Sequence, residues 1–563
     1  RHRQPASWAK YQDPVCKLRL NLYGHPLAGL YWEQHCRKIL IEQGFEPVPG
    51  WECLYFHRAQ QLFLSVYVDD FKMAGKEKNL DPMWQKLAEK LDLEPPTPLD
   101  GNIYLGCKQN DVSADDKMLQ NKMEMYNNLF QGVSMDATGN LTDISKSKAP
   151  VIDAGGDSLP GQVPTLSAST CKCTERGGDS SISTALSATN AGGDSKRAHA
   201  GPVKAYQHDM RGHAEQCVEK YLELANMTVT DLKRVATPHL DEYQFSTEDF
   251  EQKGVLSPIA SRIVLKVLYL ARICRVDLLW AVNILAREVT KWNVACDKRL
   301  HRLISYIHST QDWVLTSMVG DKPEDCKIAA FCDASFVAEL RDSKSSTGGY
   351  VSIVGPRTFV PIIWPCKKQG ATSHSSTEAE VISMEAVMRC EAIPALILWE
   401  LVIEVMAPNG KQAQKSNPSM GKFKMEGMVL DIDSNLTTLD KPLGRAKLAV
   451  LEDNDAVIKM TVKGRTPAMR HIQRTHRVDI DWLFERFQSD PGIYIRYVNT
   501  KQQVADLLTK GTFTAIQWNV LCDLAQVGPP GVRKDPTVKN AGGDSSQKPT
   551  NNTKSKGDTS ATT

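Results

Sequence analysis

Two stretches of this chain place carboxylates where metal-assisted chemistry needs them. In the first, apolar Ile328, Ala329, Ala330 and Phe331 run into Asp333. A polar, turn-rich segment follows, then two β-rich apolar runs at 350–354 and 359–364, then a helix start at SSTEAE, residues 375–380. An acid closing a buried strand and an acid in the first turn of the next helix, Glu378, converge on one point. Mg²⁺ suits such a point, because it takes carboxylate oxygens and keeps several waters. In the second stretch, residues 62–75 (LFLSVYVDDFKMAG), apolar residues lead into Asp69 and Asp70 and apolar character then returns. This pattern predicts a β-hairpin with two acids at its tip. Taken singly, an Asp-Asp turn is a solvated hairpin tip and TEAE is ordinary helix composition.

Four pieces in order, CDASF, KSSTGGYV, WPCKKQ and SSTEAE, resemble the RNase H domain of copia-type LTR retrotransposon polyproteins. The resemblance implies four catalytic, metal-binding acids: Asp333 in CDAS, Glu378 in STEAE, Asp453 in EDNDAV and Asp506 in ADLLTK. EDNDAVI is similar to the family's CDNQSAI, and VNTKQQVADLLTK to its VPTEDQLADILTK. Asp333 and Asp453 follow apolar strand segments, while Glu378 and Asp506 fall on helix starts or short helices. Such a cluster is costly unless cations neutralise it. The implied reaction is hydrolysis of the RNA strand of an RNA–DNA hybrid with two Mg²⁺ (or Mn²⁺) ions. One lowers the pKa of the attacking water and the other stabilises the leaving 3′ oxygen. Choosing RNA requires sensing 2′-hydroxyls. Lys367, Lys368 and Gln369, just before the catalytic helix, are the expected phosphate contacts. Two capping boxes overlap here. With Thr377 as cap, Glu380 engages the backbone and Glu378 is free for metal, the assignment adopted. With Ser375 as cap, Glu378 is the engaged residue. Asp455 is read as solvent-exposed or at most outside the direct ligands, and His476, in RTHRVDIDWLF (family TKHIDIRYHF), as packing or catalytic.

The same family's reverse transcriptase motifs have counterparts upstream. LNLYGHPLAGLYW, residues 20–32, resembles LYGLKQAPRAWY, and YVDD resembles the polymerase box. There the first acid, here Asp69, binds catalytic Mg²⁺ and Asp70 assists, with two metals bridging triphosphate and primer hydroxyl. A third acid belongs to a DVKTAFL-like motif, which residues 1–20 do not match; Asp13, before Pro14, has the wrong context. NIYLGCK, residues 102–108, resembles YFLGIEI, a primer-placing or plain core strand. YLARICRVDLLWAV and KRLHRLISYIHST resemble YLTVTRPDISFAV and KRVLRYLKGT of the thumb and connection. Ser257-Pro258, Asp277 and Asp297 are expected at helix starts. Lys298, Arg299, Arg302 and His308 read as phosphate contacts or a solvated helix face.

The elements that must position these residues amount to more than one domain. A chain of 563 residues holds two or three. Net charge is only +2, so nucleic-acid binding must come from local patches. The 14 cysteines lack paired spacing and read as reduced thiols, with zinc at Cys171 and Cys173 a remote alternative. No apolar run reaches a membrane span, and the richest, residues 393–406, holds Glu400 and Glu404. The expected location is intracellular, in a cytoplasmic particle or the nucleus, and the start at Arg1 predicts a fragment. Residues 111–200 are Ser/Thr/Gly/Ala-rich, with Gly-Gly-Asp-Ser starting at Gly155, Gly177 and Gly192, and again at Gly542. That composition predicts disorder.

The resulting organisation is α/β (α+β). It comprises a partial reverse transcriptase palm at 1–110, a low-complexity insertion at 111–200, and a helical thumb and connection at 201–318. An RNase H-like mixed-sheet domain follows at 325–515, carrying a surface insertion at 407–447, and a disordered tail runs over 528–563. The reading is a retrotransposon-derived reverse transcriptase/RNase H fragment, with polymerase activity only in the full-length parent. Its expected partners are an RNA–DNA hybrid, template RNA and primer, with protease, integrase and the N-terminal reverse transcriptase missing upstream. The alternative is a decayed or host-retained copy that binds nucleic acid without catalysis.

Overall fold

A computed structural model describes residues 6–12, 24–130, 133–135, 141–143, 203–336, 343–407, 444–464, 466–490 and 492–530. Among them the strands are β1 (Glu46–Pro47), β2 (Leu54–His57), β3 (Leu62–Tyr67), β4 (Asp70–Gly75), β5 (Ile103–Tyr104), β6 (Cys107–Ser113), β7 (Val133–Met135), β8 (Leu141–Asp143) and β9 (Lys204–Asp209). They continue as β10 (Val314–Val319), β11 (Lys327–Ser335), β12 (Ser346–Gly355), β13 (Thr358–Ile363), β14 (Cys366–Lys368), β15 (Leu448–Glu452), β16 (Ile493–Tyr497) and β17 (Val527–Gly528). The helices are α1 (Ala28–Glu42), α2 (Leu80–Ala88), α3 (Asp116–Phe130), α4 (Arg211–Ala225), α5 (Thr247–Glu251), α6 (Ala260–Ile273) and α7 (Leu279–Arg287). They continue as α8 (Val294–Ser309), α9 (Ser376–Val387), α10 (Ile393–Met406), α11 (Asp455–Lys463), α12 (Ile472–Thr475), α13 (Ile480–Ser489) and α14 (Ala515–Leu524).

Strands β1 to β4 form an antiparallel sheet in chain order. Alternation sends Leu62, Leu64 and Val66 of β3 inward against Cys36, Ile39 and Leu40 of α1 and Met83 and Leu87 of α2. Phe56 and Phe63 pack instead with Val405 and Leu401 of α10. Helix α10 is apolar on nearly every side because it has two neighbours to cover: Ala395, Leu396 and Trp399 turn toward the other core. A π-helical turn, Met388–Ala392, joins it to α9, and Pro394 lies in its first turn, where its missing N–H costs no hydrogen bond.

The second sheet runs β16-β15-β11-β12-β13-β10-β9-β6-β5, with β14 on β12 and β17 on β10. Pairs β11–β15 and β15–β16 are parallel, so each needs a crossover, which α9–α10 and α11–α13 supply. Strand β11 is covered on both faces. Ile328, Ala330 and Cys332 meet α9 and α13, whereas Ala329 and Phe331 meet the core shared with α3, α6, α8 and α14. Burial on both sides is why this strand reads as an unbroken apolar run.

Several expected boundaries move. Residues 111–130, taken as the start of the insertion, complete β6 and form α3, which buries Met125, Tyr126, Leu129 and Phe130 at helical spacing. The Gly-Gly-Asp-Ser copies, Cys171, Cys173, residues 408–443 and the tail from 531 lie outside the described residues. Residues 201–318 and 325–515 are not separate bodies: β10 pairs with both β9 and β13, one core spans them, and β17, at the expected start of the tail, closes onto β10. Asp277 caps no helix. It forms a buried pair with Arg275 (Nη2–Oδ2 2.8 Å, Nε–Oδ1 2.9 Å) and accepts the Tyr306 hydroxyl at 2.9 Å. Trp518 of α14 donates to that hydroxyl oxygen at 2.9 Å. Asp297 binds the backbone N–H groups of Val255 and Leu256 and the indole of Trp292, while Asn293 caps α8. Helix α6 starts at Ala260, past Ser257-Pro258.

Candidate functional site

Strand β11 carries Asp333 two residues before its end, and the neighbouring elements are built to approach it. Gly348 on β12 pairs with Asp333, and a Cβ at Gly348 would meet Thr509 Cγ2 at 2.4 Å. A Cβ at Gly349 would meet Val387 of α9 at 2.5 Å. The two glycines of KSSTGGYV thus let the 3-10 turn Val504–Leu508 press on one face of β12 and α9 on the other. Further hydrogen bonds lock the approach: Ser383 Oγ donates to the Asp333 carbonyl at 2.6 Å and Gln503 Nε2 to the Cys332 carbonyl at 2.9 Å.

Asp333, at 1% exposure, gathers acids from three other elements. Asp506 comes from the 3-10 turn, Asp453 from the end of β15, and both act on Asp333 electrostatically. The Thr509 hydroxyl donates to Asp333 Oδ2. Lys510 lies between the acids, with Nζ 2.5 Å from Asp506 Oδ1 and 3.6 Å from Asp333 Oδ1. Burial pushes the Asp333 carboxyl up to about 7, against the pull of Lys510 and with the push of Asp506. Burial raises Asp506 as well.

The glutamate that joins this group is Glu380. Ser375 is the N-cap of α9, its Oγ accepting from the Glu378 backbone N–H at 3.1 Å. Glu380 then lies about 200° further round the helix than Glu378, facing Asp333, Glu452 and Asp453. Burial, then Asp333 and Glu452, pushes Glu380 up to about 11. Glu378, expected as the metal ligand, turns the other way. Its Oε2 accepts from the His374 backbone N–H at 3.3 Å and stands 3.3 Å from His471 Nε2, and its Oε1 stands 3.2 Å from His476 Nε2. The cap decides this: Thr377 as cap would free Glu378, but Ser375 caps the helix. His476 is buried against Glu378 and away from Asp333's neighbours. Sequence reasoning also passed over Glu452, which is fully buried at the end of β15, raised by its burial, and held through Oε1 by the Asn454 N–H at 3.1 Å. The available signal was the strand KLAVLE, which ends in an acid where the family motif has cysteine. Asp455 is exposed and ion-paired to Lys459, as expected.

The expected nucleic-acid contacts divide. Lys367 is exposed on β14 and Lys368 half-buried. Gln369 is buried and structural: its amide donates to the Ala379 carbonyl at 2.9 Å and its Oε1 accepts from Ser373. Arg302 donates to Thr237 O at 2.7 Å, and Lys298 pairs with Asp249 at 2.6 Å, so both are engaged within the helical layer.

Asp69 and Asp70 stand in water at the β3–β4 turn, where Val68 has φ +54 and Trp32 Nε1 donates to its carbonyl at 2.8 Å. Residues 13–23, including Asp13 and the start of the LYG motif, lie outside the described residues.

An all-oxygen donor set suits Mg²⁺ or Mn²⁺. The cluster fits such an ion in chemistry, since Glu380 Oε2 and Glu452 Oε2 are buried with no hydrogen-bond partner among the described residues. Among those residues, however, no three His, Cys, Asp or Glu side chains are arranged as a metal-holding set. Lys510 stands between two of the carboxylates. No described helix is long and apolar enough to cross a membrane.

Residues 3–151 match the reverse transcriptase (RNA-dependent DNA polymerase) family. The Transposon Ty1-DR4 Gag-Pol polyprotein of Saccharomyces cerevisiae is 28% identical over 152 residues, 27% of this chain and 9% of that one. A putative transposon Ty5-1 protein of the same yeast is 31% identical over 128 residues, 22% of this chain and 39% of that one. No solved structure matches. The chain thus spans a small part of the polyproteins it matches, and these matches bear out its relation to copia-type LTR retrotransposon Pol polyproteins.

Proposed function

We propose that the Asp333 cluster is the centre of a metal-dependent nuclease that hydrolyses the RNA strand of RNA–DNA hybrids, an RNase H. The observation that carries this is convergence: Asp333, Glu380, Glu452, Asp453 and Asp506 come from β11, α9, β15 and the 3-10 turn to one buried place, with two carboxylate oxygens unsatisfied. The mixed sheet order β13-β12-β11-β15-β16, with acids at or near the ends of β11 and β15, is the scaffold this chemistry requires. When bound there, Mg²⁺ or Mn²⁺ supplies an acidified water and charge stabilisation at the leaving oxygen. Asp333, Glu380, Asp453 and Asp506 would hold it. The chain's own residues keep those carboxylates in place: Thr509 and Gln503 fix the end of β11, and Ser383 ties it to α9. Exposed Lys367 lies on the same β12–β14 edge and is positioned for a substrate phosphate.

The Asp69–Asp70 hairpin is the remnant of an RNA-directed DNA polymerase centre whose activity belongs to the full-length parent. Template RNA and primer are partners of that parent, along with the polyprotein's protease, integrase and N-terminal reverse transcriptase.

The test is cleavage of a labelled RNA–DNA hybrid by the purified chain with Mg²⁺ or Mn²⁺. Asp333→Asn should cut the rate by a factor on the order of 10²–10⁴, since it removes a charged ligand while nearly preserving shape. Equal cleavage by parent and variant would place the chemistry elsewhere. No metal-dependent cleavage by the parent would make this a non-catalytic, nucleic-acid-binding copy.

A further inference from the structure

We propose that Lys510 is a built-in cation that occupies the metal position between Asp333 and Asp506 and must leave it when a divalent ion enters. This rests on the nuclease reading of the same cluster. The Lys510 ammonium bridges one oxygen of each acid, at 2.5 Å from Asp506 and 3.6 Å from Asp333. The second Asp333 oxygen is taken by the Thr509 hydroxyl. Two carboxylates this deep repel one another strongly unless a positive charge lies between them. The lysine follows the last acid by four residues, and its backbone N–H donates to the Asp506 carbonyl at 3.1 Å, so the chain returns its side chain over the acid it follows.

The arrangement is suited to reversal. The Lys510 side chain is 38% exposed, while the side chains of Asp333 and Asp506 are only 2% and 8% exposed. The acids are fixed by the sheet and the 3-10 turn, whereas the ammonium hangs on a flexible four-carbon stem with water on one side. An ammonium and a divalent ion cannot share the position, because like charges in a low-dielectric site repel. Lys510 therefore steadies the metal-free cluster and competes with metal.

The experiment uses the full chain without nucleic acid and measures Mn²⁺ binding by calorimetry for the parent, Lys510→Gln and Lys510→Arg, each with a melting curve. Lys510→Gln should bind Mn²⁺ about tenfold or more tightly, because the competitor is gone. Lys510→Arg, which keeps the charge, should bind no more tightly than the parent. A second measurement needs only the parent: labelling of Lys510 by an amine-reactive reagent, followed by peptide mass spectrometry, should rise when Mn²⁺ is added. Unchanged labelling, or a Lys510→Gln affinity equal to or weaker than that of a parent that does bind, overturns the proposal and leaves the nuclease reading standing. No Mn²⁺ binding by any variant, together with no hybrid cleavage, overturns both.

Discussion

The two groups of acids in this chain both sit where strands end, and the fold treats them in opposite ways. Asp69 and Asp70 project from a two-stranded tip into water, supported by one indole hydrogen bond from Trp32. Asp333, Glu380 and Glu452 are pressed between a sheet, a helix and a 3-10 turn, with Lys510 paired to Asp333. Acids in water cost the fold almost nothing and hold nothing in place. Buried acids strain the fold until a cation arrives, and that strain is what makes them ready to bind one. On the proposed reading the hairpin carries only two of the acids that a polymerase centre uses. The buried cluster brings five acids together around Asp333, with Lys510 paired to two of them.

The largest expected effect separates two glutamates two residues apart. Glu380→Gln should lower hybrid cleavage by a factor on the order of 10²–10⁴. Glu378→Gln should cost no more than about tenfold, through small movements of α9, because its carboxylate faces His471 and His476. Rates measured side by side at saturating Mg²⁺ decide it. The reverse ranking would restore Glu378 as the ligand and break the picture of an inward-facing Glu380.

Next in size is a dependence of stability on pH. Asp333 and Glu380 have folded-state values of about 7 and about 11, far above ordinary carboxyls. The folded chain therefore binds more protons than the unfolded one above about pH 4, and metal-free stability falls as pH rises from there through 7 and beyond. The loss should be on the order of a few kcal/mol. Asp333→Asn should flatten the slope, and added Mg²⁺ should offset it by binding the charged form. Chemical denaturation at several pH values in chelator reads this out. A metal-free chain that gains stability between pH 4 and 7 would mean the cluster is better neutralised than its geometry implies.

How much of this could be read in the residues depends on what each signal measures. Asp333, Asp453 and Asp506 stand out because each follows or opens a strongly patterned element, and the structure brings all three to one place. Glu378 and Glu380 were not separable by pattern, since both fit capping boxes and only the backbone at Ser375 selects one. Lys510 was hidden because a lysine beside an acid is common on surfaces, and its meaning comes from Asp333, far away in sequence. The continuous sheet was hidden for the same reason. Hydrophobic period marks a strand but does not name its neighbour, so β10 joining two expected domains had no sequence signal. Residues 116–130 read as the start of a polar insertion because the exposed face of helix α3 is as polar in sequence as the segment beyond it.

That continuity is itself testable, with a smaller effect. Tyr306 on α8 donates to Asp277 and accepts from Trp518 on α14, all buried. Tyr306→Phe leaves the ring packed but orphans an indole N–H and one acceptor position, at a cost of about 1–3 kcal/mol. The variant should melt as one transition at lower temperature, because the helical layer and the sheet share a core. Two separated transitions, with the one holding β11 unshifted, would show residues 325–515 to be independent after all.

The smallest expected effect is at the hairpin. Asp69→Asn and Asp70→Asn each remove a charge that no other described residue uses. The turn is set by backbone, with Val68 in the left-handed region and its carbonyl held by Trp32, and neither acid side chain contributes to that. Substitutions at exposed sites of this kind usually leave stability unchanged within error. The melting temperature should therefore stay within about a degree of the parent, with or without Mg²⁺, and hybrid cleavage should be unaffected. Melting curves of the two variants in chelator and in Mg²⁺ test both statements. A Mg²⁺-dependent stabilisation of the parent that Asp69→Asn abolishes would show that the hairpin already binds metal in this chain, and the contrast between the two groups of acids would fail.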